Sequence, residues 1–313
     1  MTAGNPRIDN PRIGIVTVTY NSAKVLPDFL RSLAAQTHSN FHLYAIDNAS
    51  TDSTVAQLHA WQPPAPAALS IIRNSENRGA AEGNNQGIRA ALADNCPLVL
   101  FINNDVFFEP DLLAQLVRAL DEFPCQLVCA RIYYASAPTT LWAAGGEFHP
   151  HYGYRNIHLG QDQPDGPPYD TPRPVTYAPT TCLLVDRDVF RKIGLLDPAY
   201  FAYHEDADWL LHAARAGITM YYQPSARMWH KVSSLSKAEP AFGEGYGARN
   251  RVYFLRKNFS TPVSLFWNAA YLARYLARWL MRTDSTARLR IKASGWMRGW
   301  RMPLPPRPKK PSA

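Results

Sequence analysis

Four apolar runs, each followed by a helical pattern, fill the first 120 residues and fix the fold class of this 313-residue chain. Residues 13–19 are β-branched and read as a buried strand, and Ser22 precedes a helical pattern at Val25, Phe29, Leu30 and Leu33. Residues 41–46 form the second strand, which ends at Asp47, and Ser50-Thr51-Asp52 reads as an N-cap for a helix through Leu58. Residues 69–72 form the third strand, before a helix over 79–93 that carries Gly83 and Gly87. Residues 98–102 form the fourth, with a helix over 110–120. Unbroken apolar runs belong to strands covered on both faces, so this order predicts a doubly wound, mostly parallel α/β sheet. Such sheets bind ligands beyond the C-terminal ends of their strands.

The pattern changes after Phe123. Residues 149–174, rich in Pro, Gly, Tyr and Asp, read as a loop or lid. A strand follows at 179–186, a short helix at 186–193, a helix over 205–216 ended by Gly217, and a strand at 218–222. The expected organisation is a disordered N-terminus (1–12), a catalytic domain (13–235), a helical basic extension (236–302) and a disordered Pro/Lys tail (303–313).

Polar groups collect at the expected strand ends. Thr19, Tyr20 and Asn21 close the first strand and can hold a nucleobase. Asp47 closes the second and can accept the N3–H of uracil or thymine. Asn77, Arg78 and Gly79, with Asn84 further on, open a glycine-rich helix whose N-terminus favours phosphate or ribose oxygens, although no Walker sequence is present. Asn103, Asn104 and Asp105 follow the fourth strand, and Asp105 is a hard oxygen ligand suited to Mg²⁺ or Mn²⁺. His230 can add an imidazole. Glu205, Asp206 and Asp208 stand at a helix start, where acids suit the dipole. Three acids in four positions exceed that need, and Asp206 is the choice for a general base.

In this order the motifs resemble glycosyltransferase family 2, the inverting enzymes of GT-A fold, from Ile13 to His230, with Gly194-Leu195-Leu196-Asp197 as a further shared element. The branch most similar is that of the bacterial rhamnosyl- and galactofuranosyltransferases of cell-envelope polysaccharides. The resemblance implies that Asp47 binds the base, Asp105 holds metal and diphosphate, Asp206 is the catalytic base and His230 is a further metal ligand. It also implies a UDP- or dTDP-sugar donor and a glycan or lipid-linked glycan acceptor. The family's metal motif is usually Asp-x-Asp, and Asn103 stands at its first acid here.

Charge separates along the chain. From Tyr246 onward there are 15 Lys/Arg and one acid, Asp284, so this part carries +14 against +8 for the whole. Leu265, Ala269, Leu272, Leu276 and Trp279 fall at helical spacing, with Arg274, Arg278 and Arg282 on another face. A basic amphipathic helix of this kind suits an anionic membrane surface, and packing on the catalytic domain or on a second subunit of a homo-oligomer is the alternative. A polar N-terminus and the lack of an 18-residue uncharged apolar run predict a cytoplasmic protein, peripheral on the inner face of the membrane. Cys96, Cys125, Cys129 and Cys182 read as structural thiols. Two rival classes are a sugar-phosphate nucleotidyltransferase, disfavoured by the absence of a basic Gly-rich loop after the first strand, and a nucleic-acid binder, disfavoured by the helical spacing of the tail aromatics.

Overall fold

The computed structural model describes residues 10–232 and 240–305. Residues 1–9 and 306–313, within the expected disordered termini, and 233–239, around the expected boundary at 235, lie outside the described residues. The described chain forms two compact units: one runs to Phe201 and again from Glu205, and the other comprises Ala202–His204 and the residues from 240 on.

The first unit is a ten-stranded sheet with helices. Strands β1 (Ile13–Thr19), β2 (Phe41–Asp47), β3 (Ala68–Arg73) and β4 (Leu98–Ile102) are joined by α1 (Leu26–Ala34), α2 (Thr54–Ala60) and α3 (Gly79–Ala93). They lie parallel in the order β4-β1-β2-β3. Every residue of β2 and β4 is buried; the unbroken apolar run of β4 requires this, and β2 buries His42 and Asp47 along with its apolar residues. After β5 (Val106–Phe108), α4 (Leu112–Glu122) leads into β6 (Leu127–Tyr134), β7 (Ala137–Ala144), β8 (Gly146–His149), β9 (Arg155–His158), β10 (Arg173–Val175) and β11 (Cys182–Asp186). Then α5 (Arg187–Ile193) and α6 (Glu205–Arg215) precede β12 (Met220–His230). Strand β11 inserts antiparallel between β4 and β6, and β12 runs parallel to β6. The four cysteines are free and buried.

The expected lid is more ordered than its composition implies. Strands β8 and β9 form an antiparallel hairpin, turned by Gly153 and Tyr154 at φ 68° and 56°. The segment after it is pinned by Arg131 of β6, whose guanidinium donates to Asp165 at 2.7 Å, Asp170 at 2.9 Å and the Tyr169 carbonyl at 2.5 Å.

In the second unit, α7 (Pro240–Asn258), α8 (Thr261–Leu280) and α9 (Thr286–Arg301) pack together. Glycine sets the approach of α7 and α9: a Cβ on Gly295 would stand 2.3 Å from the Gly245 oxygen, and one on Gly299 2.4 Å from that of Arg249. Helix α8 turns its polar side inward. Ser264 and Asn268 are buried, the Asn268 carbonyl accepts the Trp296 indole N–H at 3.2 Å, and Leu265, Leu276 and Trp279 of the predicted stripe are exposed. The predicted arginine face is split: Arg274 and Arg282 are exposed, whereas Arg278 meets the buried Asp284 at 3.2 Å, which also binds Lys292 at 2.6 Å.

Helix α3 lies on the sheet through its small residues. A Cβ on Gly87 would come within 2.4 Å of Val16 Cγ1 and 2.7 Å of Ile46 Cδ1. Gly87→Val should therefore destabilise the fold by about 1–3 kcal/mol, since overpacking a close helix–sheet contact outweighs the gain over glycine in helix propensity. Chemical denaturation checks this, and an unchanged midpoint would contradict the packing described.

Candidate active site

Parallel pairing brings three loops to one edge of the sheet. Thr19 stands opposite Asp47, and Val16 opposite Phe101, so β1, β2 and β4 end together. Thr19 Oγ1 donates to Asp47 Oδ1 at 3.0 Å, and the Ser50 N–H donates to Oδ2 at 3.1 Å. Asn21, at φ 50°, accepts the Thr51 N–H on Oδ1 at 2.8 Å and donates its own N–H to Ser50 Oγ at 2.9 Å. These bonds join the first two loops and leave the Tyr20 ring exposed at their mouth. The cap expected at Ser50-Thr51-Asp52 is displaced: Ser53 is the N-cap residue of α2 and makes no side-chain cap bond, while Asp52 Oδ1 accepts the Thr54 N–H at 3.0 Å.

The start of α3 meets the chain ahead of α6. Asn77 Oδ1 accepts the Gly79 N–H at 2.9 Å, and the Ala80 N–H donates to the Phe201 carbonyl at 2.6 Å. A Cβ at Gly79, where φ is 79°, would stand 2.3 Å from that carbonyl oxygen, which accounts for glycine here. Arg78 is exposed and Asn84 half-buried. Its neighbour Asn85 is the structural member of the pair, buried and bonded to the Leu196 backbone at 2.8 and 3.0 Å.

Asn103, Asn104 and Asp105 have separate surroundings. The exposed Asn103 bonds Thr181 through its N–H at 3.1 Å, and Asn104 is buried and donates to the Val18 carbonyl at 2.6 Å. Asp105 meets His230: Oδ1 and Nε2 are 3.2 Å apart. Strand β12 delivers that imidazole by pairing His230 with Val106 of β5. An oxygen and a nitrogen ligand thus stand together, and no group of three His, Cys, Asp or Glu suited to a metal occurs among the described residues. The pair fits a divalent cation that takes its remaining ligands from a diphosphate and water, which is how Mg²⁺ is commonly held.

The three acids of α6 face different ways. Asp208 is buried and accepts the Tyr200 hydroxyl at 2.9 Å. Asp206, partly exposed, accepts the Tyr177 hydroxyl on Oδ2 at 2.7 Å and the Ala207 N–H on Oδ1 at 2.7 Å. Glu205 is buried, and its Oε2 has no hydrogen-bond partner among the described residues. Just before them, Phe201, Tyr203 and His204 hold φ of 62°, 67° and 72°. Left-handed backbone at such residues costs on the order of 1–3 kcal/mol each and collects at functional sites. Asn250 of α7 steadies this turn, donating to the carbonyls of Ala202 and Tyr203, both at 2.7 Å.

Rings connect the two groups of acids. From Asp105 and His230 the row passes to Trp142 at 4.6 Å between centroids, to His158 at 4.5 Å and to Tyr177 at 5.9 Å, whose hydroxyl reaches Asp206. Trp142, His158 and Tyr177 have no individual role that the sequence alone assigns. They lie in or beside the segment read as a lid.

A family model for glycosyl transferase family 2 matches residues 14–194. The chain belongs to this family. It is 26% identical to an N-acetylglucosaminyl-diphospho-decaprenol L-rhamnosyltransferase of Mycobacterium tuberculosis over 72% of this chain and 78% of that protein. It is 28% identical to an uncharacterized glycosyltransferase of Haemophilus influenzae over 40% of this chain, and spans less than half of that relative's length, 44%. Among solved structures it resembles the mannosyltransferase PcManGT from Pyrobaculum calidifontis in complex with GDP-Man and Mn²⁺, with a TM-score of 0.57 and 15% identity over 93% of this chain and 86% of that one. The fold is of GT-A type.

In this family 2 chain the acid pair stands in a desolvated setting. Burial, reinforced by Asp206, raises the Glu205 carboxyl above its ordinary range. Burial also raises Asp206, with the Tyr177 hydrogen bond opposing it. A carboxyl raised on folding binds protons more tightly in the native state, so its contribution to stability is complete below the ordinary carboxylate range and is lost as pH rises through the folded value. Glu205→Gln should remove this loss. Melting temperature measured from pH 4 to 9 should fall less steeply in the variant (about a carboxylate's ordinary range upward), and parallel curves would place Glu205 in a solvated setting.

Proposed function

We propose that this chain is an inverting glycosyltransferase that moves a rhamnose-like or galactofuranose-like sugar from a UDP- or dTDP-sugar to a hydroxyl of a glycan or lipid-linked glycan in cell-envelope polysaccharide synthesis. The observation that carries the reading is Asp206: a partly exposed carboxylate, held by two hydrogen bonds in a desolvated setting, in a family 2 chain. The M. tuberculosis relative supports the sugar and the acceptor class.

In this mechanism Asp206 takes the proton of the acceptor hydroxyl. The oxygen attacks the anomeric carbon from the face opposite the diphosphate, whose C–O bond breaks with the electron pair leaving on oxygen. One displacement inverts the centre. Asp47 accepts from the pyrimidine N3–H through lone pairs not used by Thr19 and Ser50, and Tyr20 lies against the base. Asn77, Arg78, Gly79 and Asn84 line the donor's ribose and phosphate side, with Asn103 and Asn104 beside Asp105. Asp105 and His230 would hold Mg²⁺ or Mn²⁺, and such an ion supplies positive charge against the leaving diphosphate.

Asp206→Asn should lower transfer by about 10²–10⁴ while leaving donor affinity unchanged, because it removes only the proton acceptor. Asp105→Ala should instead weaken nucleoside-diphosphate binding and abolish its response to Mn²⁺, and His230→Ala should do the same to a smaller extent. Calorimetric titration of UDP and dTDP beside a transfer assay separates the two effects. Retained turnover in Asp206→Asn, or Mn²⁺-independent binding equal to wild type in Asp105→Ala, would exclude the assigned roles.

We further propose that α8 lies on an anionic membrane surface. No helix among the described residues is long and apolar enough to cross a membrane. Helix α8 nevertheless buries Asn268 to 1% exposure and leaves Phe266 at 65% and Leu280 at 71%. An outward apolar side, bordered by the exposed Arg274 and Arg282, matches a headgroup interface. Full-length protein should float with phosphatidylglycerol vesicles, release with salt at about 1 kcal/mol per engaged cation, and fail to float as Phe266→Glu/Leu280→Glu. Salt-insensitive or absent flotation, with a dimer on size exclusion that the double variant abolishes, would assign the face to a second subunit.

A further inference from the structure

A residue beside the expected lid segment reaches the proposed base. Tyr177 is buried, and its hydroxyl donates to Asp206 Oδ2 at 2.7 Å. The ring stacks on His158 of β9 with centroids 5.9 Å apart and meets the edge of Phe148 of β8 at 5.6 Å. Its N–H donates to the Gly146 carbonyl at 3.0 Å. Gly146 leaves room for the ring: a Cβ there would stand 2.7 Å from Tyr177 Cδ1 and 2.5 Å from the Ile157 oxygen. Asn156, also on β9, bears on the Tyr177 hydroxyl and acts against the upward shift that burial gives it. The hairpin therefore grips the tyrosine from several sides, and the tyrosine grips one oxygen of Asp206.

We infer that Tyr177 is a positioning residue for sugar transfer: its hydroxyl fixes the Asp206 carboxylate in one orientation, with the remaining lone pairs presented to the acceptor, and the β8–β9 hairpin fixes Tyr177. This rests on the reading of Asp206 as the base. An aspartate in the first turn of a helix otherwise rotates about χ1 and χ2, and each ionised carboxylate oxygen has lone pairs to spare after accepting one bond. The groups that bear on Asp206 are Tyr177 and its own neighbour Glu205, while His158, stacked on Tyr177, is kept neutral by burial, which lowers its pKa to about 4. Burial raises Asp206 and the Tyr177 hydrogen bond lowers it. Without the hydroxyl only the backbone N–H groups oppose the burial, so Asp206 loses its proton at higher pH.

The test is the pH profile of transfer by full-length Tyr177→Phe, beside Asp206→Asn and Asn156→Ala. Tyr177→Phe keeps the ring and should keep the wild-type melting temperature. Its plateau kcat should fall roughly tenfold, as expected for losing one hydrogen bond to a charged group. The acid limb of the profile should move to higher pH, with donor KM unchanged. Asn156→Ala should shift the limb in the same direction by less, and it carries the test if Tyr177→Phe does not fold. An inactive Asp206→Asn together with wild-type profiles for both other variants overturns the positioning role and leaves the base in place. An active Asp206→Asn overturns the reading of the base itself. A shifted limb with unchanged KM is an outcome that a merely structural tyrosine does not produce.

Discussion

The site depends on register. Parallel pairing of β1 with β2 and β4 aligns three strand ends, so a polar residue added after any of these strands arrives at the same edge. Thr19 and Asp47 are directly opposed and hydrogen-bonded because of this alignment. The fourth contribution arrives from much later in the sequence, through the pairing of β12 with β5 and β6. A slip of one residue in β12 would turn His230 to the other face of the sheet and separate it from Asp105. Backbone hydrogen bonds, rather than any contact between the side chains, set this approach.

The first half of the fold was legible because β1, β2 and β4 are covered on both faces. Ile13–Thr19, Gly79–Ala93 and Leu98–Ile102 have the bounds their patterns imply. The second half hides its strands for identifiable reasons. Strand β6 carries Arg131 in an otherwise apolar run, and the arginine is buried only because Tyr133, Tyr222, Asp165 and Asp170 satisfy it. The strand expected at 218–222 runs on as β12 to His230, because after Gln223-Pro224-Ser225 the chain resumes its register with β6 at Arg227 past a bulge. Helix α7 carries Gly243, Gly245 and Gly247, which weaken a helical reading, and the close approach of the two helices requires glycine on the α9 side, at Gly295 and Gly299.

The candidate residues could be picked out one by one from the sequence, but not their contacts. Asp47, Asp105 and Asp206 are recognisable as acids at element ends. Tyr177, His158 and Trp142 are not, since a buried aromatic residue in a Pro- and Gly-rich stretch has the same signature as ordinary core. The tail shows the opposite case. Helical spacing defined the apolar stripe of α8, but spacing does not say which side of a helix is covered. Ser264, Asn268 and Tyr271 lie toward the other helices because Trp296 and Arg251 meet that side. The apolar stripe is left outward as a consequence.

The acids of α6 show how neighbouring positions on one turn acquire different chemistry. Successive residues point about 100° apart around a helix. Asp208 therefore turns to Tyr200 in the interior, where a complete hydrogen bond makes it part of the fold. Glu205 enters a space that leaves one of its oxygens without a partner, which favours its neutral form. Asp206 lies between these extremes: desolvated enough to want a proton, bonded enough to be held, and exposed enough to be met by a hydroxyl. A base needs these three conditions together. A fully solvated carboxylate meets the last and fails the first, and a buried carboxylate such as Asp208 fails the last. Tyr177 is what separates Asp206 from Glu205, because its hydroxyl opposes the burial that otherwise raises both carboxyls. The like charge next door gives that opposition its importance, since two desolvated carboxyls this close do not ionise independently.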